Sequence, residues 1–249
     1  MTSGSRAIRT VARLLPVVGS CLAGPVAAQP TRADPVDVQG WYGTSLTLDL
    51  PNKWASEIGY RVRYQNDAST WLGSYLTTEL SRGLGKGWRF GGSYRLANVG
   101  DAVYHRIAAG PSWEQRLLGV RVNGRVLAQY QRQTFEGNDE GSSDTDRFLR
   151  TRLQLQRPIT SWLRGYASTE PYWAIGGEFP VDNWRNTLGT EWDLGKGRAL
   201  DLYYIYRPDY GKRSYNRTFH VIGVELELGW KPFRKRAGPS AAGAKGPGT

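Results

Sequence analysis

The chain reads as all-β: an antiparallel, up-and-down transmembrane β-barrel of about 12 strands, within a range of 10 to 12. Three observations carry that reading. Eleven stretches alternate apolar with polar residues, the connectors between them include a set of tight turns spaced by longer polar loops, and 10 Trp and 14 Tyr suit two interfacial girdles, with Trp54, Trp71, Trp88, Trp113, Trp162, Trp173, Trp184, Trp192 and Trp230 near stretch ends or turns. Period-two alternation puts successive side chains on opposite faces of a strand, so each stretch is wetted on one side and buried in something apolar on the other. With hydrophobic residues at only 39% and arginine and glutamate on one face, the apolar partner expected is lipid. No run of about eighteen apolar residues follows the N-terminus, which excludes a helical membrane bundle and leaves strands as the means of crossing.

The first element is a secretory signal over residues 1–28. Arg6, Arg9 and Arg13 form its basic region, residues 14–27 are mostly apolar and small, and Val26-Ala27-Ala28 resembles a cleavage site, so export with cleavage near Ala28 is expected. Cys21, the single cysteine, lies inside this signal, which removes disulfide and thiol chemistry from the mature protein. Val18-Gly19-Ser20-Cys21 faintly resembles a lipoprotein site as an alternative. Of the +11 formal charge, the signal carries +3 and the segment from Lys231 onward carries +5. The remaining +3 is too small to argue for nucleic acid as a partner.

The barrel itself is expected over residues 29–233, with strands at 41–50, 54–65, 71–81, 88–97, 103–117, 120–133, 147–157, 162–173, 183–194, 199–207 and 219–230. A strand tilted near 45° needs about nine to eleven residues to cross, and these suffice. Strand 148–156 is the plainest: Leu149, Thr151, Leu153 and Leu155 share one face, and Arg150, Arg152, Gln154 and Gln156 the other. In strand 120–133, Val120, Val122, Val126, Ala128 and Tyr130 face lipid while Arg121, Asn123, Arg125, Gln129 and Gln131 face inward. In the last strand Ile222, Val224, Leu226, Leu228 and Trp230 face out. Tight turns fall at 50–53, 83–87, 118–119, 158–161 and 195–197, and the clearest longer loops at 135–146, 176–182 and 208–217. Short periplasmic turns alternating with longer outer loops are the habit of outer-membrane barrels.

Carried around the barrel, the same parity lines the lumen with Arg61, Arg63, Arg95, Arg106, Arg116, Arg121, Arg125, Arg150, Arg152, Arg164 and Arg185. Glu57, Glu79, Glu114, Glu170, Glu191, Glu225 and Glu227 oppose them. A lipid-facing Arg near the bilayer midplane costs about 2 to 4 kcal/mol, which directs the charges inward. Eleven strands leave an odd count, whereas single-chain bacterial barrels use even numbers with both ends in the periplasm. A twelfth element within 29–40, a mis-split long strand, or ten strands in all would restore parity. Residues 234–249, rich in Gly, Ala, Pro and Lys, are expected to form a disordered basic tail.

Several motifs together resemble a family: His105-Arg106-Ile107, Phe148-Leu149-Arg150-Thr151-Arg152-Leu153, Trp184-Arg185-Asn186-Thr187-Leu188-Gly189, Leu200-Asp201-Leu202-Tyr203-Tyr204 and His220-Val221-Ile222-Gly223. Over roughly residues 39–233 the chain resembles the bacterial outer-membrane family known as domain of unknown function 2490. The resemblance implies an outer-membrane barrel and brings no catalytic residues. Such barrels commonly end on an aromatic residue, whereas Phe233 is followed here by the sixteen residues 234–249.

Four groups of residues have side chains or spacing that could carry chemistry. His105 and His220, both outward by parity, admit a lipid-modifying hydrolase if a serine such as Ser112 or Ser214 comes within reach; the bland alternative is an interfacial aromatic belt. Glu225 and Glu227, about 6 to 7 Å apart on one strand face, are expected to pair with arginine and not to act as an acid–base couple. The acidic loop bearing Glu136, Asp139, Glu140, Asp144 and Asp146 has oxygen donors for a divalent ion but no ligand spacing. Gly85-Lys86-Gly87 and Gly195-Lys196-Gly197 are turns, since no helix follows to make a phosphate cradle. The expectation is therefore no enzyme, no catalytic residues, no metal and no cofactor. Partners expected are outer-membrane lipid and lipopolysaccharide, the barrel-assembly machinery, and a small solute if the lumen conducts. A soluble lipocalin-like barrel is the rival, and it requires the two faces exchanged.

Overall fold

The hairpins start from chirality at the turns. Lys86-Gly87, Leu118-Gly119 and Lys196-Gly197 all carry positive φ at both residues, the two-residue connection whose twist matches that of the flanking strands. In the computed structural model, which describes residues 36–136, 145–176, 180–210 and 217–230, eleven strands follow from such connections. They are β1 Val36–Asp49, β2 Trp54–Gln65, β3 Thr70–Gly85, β4 Trp88–Val99, β5 Ala102–Leu117, β6 Val120–Glu136, β7 Thr145–Pro158, β8 Leu163–Ala174, β9 Val181–Gly195, β10 Arg198–Asp209 and β11 Arg217–Trp230. The expected signal, the basic tail with Phe233, and loop residues Asp139, Glu140, Asp144 and Ser214 lie outside the described residues.

All neighbours pair antiparallel in sequence order except at the seam, where β1 and β11 run parallel and close the barrel. The seam is continuous in register from Val36 opposite Thr218 to Leu48 opposite Trp230. An odd number of alternating strands makes the first and last point the same way, and parallel pairing is the closure left to them. Eleven falls inside the expected ten to twelve, but the anticipated restoring twelfth strand is not how the barrel closes. Val36 to Gly40, inside the segment considered for it, instead lengthens β1 toward its start. Two connectors at the end opposite the tight turns are also short, Asn66 to Ser69 and Gly100-Asp101; only the three after β6, β8 and β10 are longer.

The two faces are sharply different. Ile107, Leu188 and Ile222 are each more than half exposed on the outside, while Arg63, Arg150, Glu170 and Gln129 are under one-tenth exposed within. A soluble barrel would have these reversed. Trp54, Trp71, Trp88, Trp162, Trp173 and Trp230 lie on the exposed surface. The tenth tryptophan, Trp41, is the exception at 2% exposure, packed inside with Ile205, Phe219, Val221 and Tyr203.

Glycines make room for the inward rings. Tyr166 is the register partner of Gly189, and Tyr203 of Gly223. A Cβ at Gly223 would stand 2.1 Å from the Tyr203 ring, and one at Gly189 2.5 Å from that of Tyr166, so each tyrosine lies across its glycine.

Candidate lumen site

Inward parity on ten strands gathers the charged side chains around two cavities of 410 and 340 Å³. Arg61, Arg95, Arg106, Arg125, Arg150, Arg152, Arg185, Glu57, Glu79, Glu170, Glu191, Glu225 and Glu227 line the larger. Arg63 lines the smaller together with Arg95, Arg106 and Arg185. Tyr75, Arg95, Arg106 and Arg185 belong to both and mark where one gives way to the other. Glu114, Arg116, Arg121 and Arg164 line neither cavity. They lie near the tight turns, where Glu114 and Arg116 are exposed, Arg121 Nε is 3.4 Å from Glu114, and Arg164 donates to Glu191.

Glu170 on β8 is the principal buried acceptor. Arg125 from β6 and Arg150 from β7 both donate to its Oε1, at 2.8 and 2.9 Å, and Arg150 spends a second N–H on Gln129 Oε1 at 2.9 Å. The carboxylate and Arg150 are buried, so their charges must be hydrogen-bonded, while Arg125 keeps part of its side chain exposed and adds a second bond to the same oxygen. Across the barrel Arg61 donates to Glu225, and nearer the tight turns Gln156 donates to Glu191 at 2.7 Å. Arg207 grips Asp209 through two bonds of 2.9 and 2.7 Å.

The charges are not evenly mixed. Arg63, Arg95, Arg106, Arg150, Arg185 and Arg207 sit in the halves of their strands away from the tight turns; Glu57, Glu79, Glu191, Asp201 and Glu227 sit in the halves beside them. Register sharpens this segregation. Glu57 faces Glu79 across β2 and β3, and Asp201 stands between Glu191 and Glu225 across β9, β10 and β11. Arg95 faces Arg106 in the arginine half, while Arg125 faces Arg152 in the half beside the tight turns. The expected lattice of opposite charges is thus an arginine-rich tier stacked on one that holds most of the carboxylates together with Arg116, Arg121, Arg125, Arg152 and Arg164.

Aromatic rings, which sequence reasoning assigned to the outer girdles, organise the arginine tier. Arg63 is held between Trp41 and Tyr75, its guanidinium carbon 3.7 and 3.9 Å from their centroids. Tyr172 lies under both Arg150 at 4.4 Å and Arg185 at 4.5 Å. Trp41, Tyr75, Tyr166, Tyr172 and Tyr203 went unnoticed because each type also suits a girdle. Their strand parity, shared with the neighbouring arginines and Asp201, was the available signal. Lower in the interior, Tyr166 donates to Asp201 at 2.9 Å.

The two histidines stay on the outer face. Tyr94 Oη is 2.7 Å from His105 Nδ1, and Tyr204 Oη is 2.5 Å from His220 Nδ1. Ser112, inward on β5, lines a separate 30 Å³ space. No serine is bonded to either imidazole among the described residues.

A solved structure of the NanC porin, in its rhombohedral crystal form, is similar at 13% identity and a TM-score of 0.46, over 68% of this chain and 86% of that one. No curated protein matches the chain. The model of the family described as protein of unknown function (DUF2490) matches residues 38–217, and with most of the barrel so matched the chain belongs to that family.

Proposed function

We propose that the chain is a bacterial outer-membrane barrel of the narrow-pore type, exported with its signal cleaved near Ala28, through which small charged solutes pass. The observation that carries this reading is the pair of polar cavities meeting at Tyr75, Arg95, Arg106 and Arg185. A barrel built only for packing would fill that space with interdigitated side chains. The exposed aliphatic exterior supports a lipid setting, with lipopolysaccharide as the outer-leaflet neighbour and the barrel-assembly machinery as a folding partner. Rings of arginine favour anions, and the acid-rich tier at the other end makes the path zwitterionic overall. The chain carries no catalysis and no cofactor in this reading.

A structural, occluded barrel is the second reading, and one observation favours it: Trp41, Ile205, Phe219 and Val221 form a packed plug within the interior. Planar-bilayer conductance of the refolded barrel separates the two. Unitary current from the unmodified protein, with altered selectivity in the Arg150→Ala, Arg152→Ala double variant, is the expected result. No current from either protein rejects passage; unchanged selectivity in the variant rejects those two arginines as the filter.

A further inference from the structure

Arg95 and Arg106 occupy directly opposed positions on β4 and β5, both pointing inward. Like charges so placed repel, and the usual remedy is a shared carboxylate. Two other opposed arginine pairs have one: Arg121 of the Arg116–Arg121 pair has Glu114, and Arg125 of the Arg125–Arg152 pair has Glu170. The Arg95–Arg106 pair has none. Among the described residues no carboxylate comes within 4.0 Å of either guanidinium, and the one side-chain bond made by Arg95 is to Thr77 Oγ1 at 2.8 Å.

Two more arginines converge on the same cavity, Arg63 without an acid and Arg185 opposite Glu170, whose Oε1 already accepts from Arg125 and Arg150. Arg63 and Arg185 line it with Arg95 and Arg106, and the Nε of each is buried with no hydrogen-bond partner. Their planes are set by stacking, Arg63 on Trp41 and Tyr75, Arg185 on Tyr172. A stacked guanidinium has its faces covered and its N–H edges free in the plane, which is the presentation that matches a planar or tetrahedral oxyanion. Asp146 is the carboxylate among the described residues lining this cavity, and it is already engaged. Four clustered and at least partly buried positive charges, whose only neighbouring acid is the already shared Glu170 opposite Arg185, are costly unless an anion joins them.

We propose that Arg95 and Arg106, flanked by Arg63 and Arg185, form a binding site for one small oxyanion, a phosphate or carboxylate group. The site deepens the solute-passage reading and rests on it for the ligand's arrival, yet binding and conduction are measured apart, so each fails alone. The mature chain is refolded into phosphatidylcholine vesicles in chloride buffer and titrated calorimetrically with inorganic phosphate and, separately, with acetate. One saturable site per barrel is expected, with the stronger of the two arms naming the preferred group. Arg95→Gln and Arg106→Gln should each weaken binding by about tenfold or more, the scale of one charge-assisted bond, while the exposed Arg198→Gln leaves it unchanged. If either glutamine variant does not fold, Arg106→Lys keeps the charge, loses the planar fork, and should still bind more weakly. A second reading comes from thermal unfolding. In phosphate-free buffer Arg106→Gln should unfold at a higher temperature than the unmodified barrel, because repulsion is relieved, and phosphate should raise the midpoint of the unmodified barrel only. Absence of saturable binding of either anion, or equal affinity in the Arg106 and Arg198 variants, overturns the site. Binding without current keeps the site and rejects passage; current without binding does the reverse.

Discussion

Arg63 and Trp41 are register partners on β2 and β1, and the guanidinium carbon of the first lies 3.7 Å from the ring centroid of the second. The contact joins the arginine tier to the apolar plug, since Trp41 also packs on Ile205, Phe219 and Val221. Trp41→Ala should therefore cost about 3 to 5 kcal/mol through the cavity it leaves, and more by freeing a buried cation from its stack. Unfolding in denaturant, followed by the heat-dependent gel shift of refolded barrel, measures it. A cost below about 1 kcal/mol would mean that Trp41 is peripheral.

Glu170 is the shared acceptor of Arg125 and Arg150. Glu170→Gln leaves the buried Arg150 and the partly exposed Arg125 without their carboxylate and should destabilise the barrel by about 3 kcal/mol. Removing the charges together, as in an Arg125→Met, Arg150→Met, Glu170→Leu triple variant, should recover most of that loss. A triple variant no more stable than Glu170→Gln would show that packing, not charge, holds this tier.

Gly223 has its register partner's ring lying over it, with a Cβ landing 2.1 Å from Tyr203. Gly223→Ala should lower stability by about 1 to 3 kcal/mol, as overpacking does. Tyr203→Ser in the same chain should relieve the clash, so the double variant should be more stable than the sum of the single effects. Strict additivity in a double-mutant cycle would deny the contact.

Odd-numbered closure places the start of β1 and the tight turns at opposite ends. Cysteines introduced at Val36, at Asp67 and at Leu118, the last fully exposed at a turn tip, report the arrangement with a membrane-impermeant maleimide on intact cells. Positions 36 and 67 should label together from one side, and position 118 only from the other. Position 36 labelling with 118 would reject the parallel seam.

Much of this architecture was legible in the residues alone. Alternation is a local property, since a strand's side chains must point to opposite faces wherever it lies, and so the starts of β2, β4 and β6 and the inward parity of Arg61, Arg106, Arg150 and Glu225 could be read directly. The double left-handed turns at Lys86-Gly87 and Lys196-Gly197 were equally local. Other features depend on residues far apart in the chain, and no periodicity encodes them. Arg125 and Arg150 reach Glu170 from two other strands, Arg95 meets Arg106 without an acid, and Trp41 packs with Ile205, Phe219 and Val221 in the interior. Closure is the clearest case: alternation assigns each strand its inner face, but which strand meets β1, and in which direction, is settled only when curvature and register bring the two ends of the sheet together.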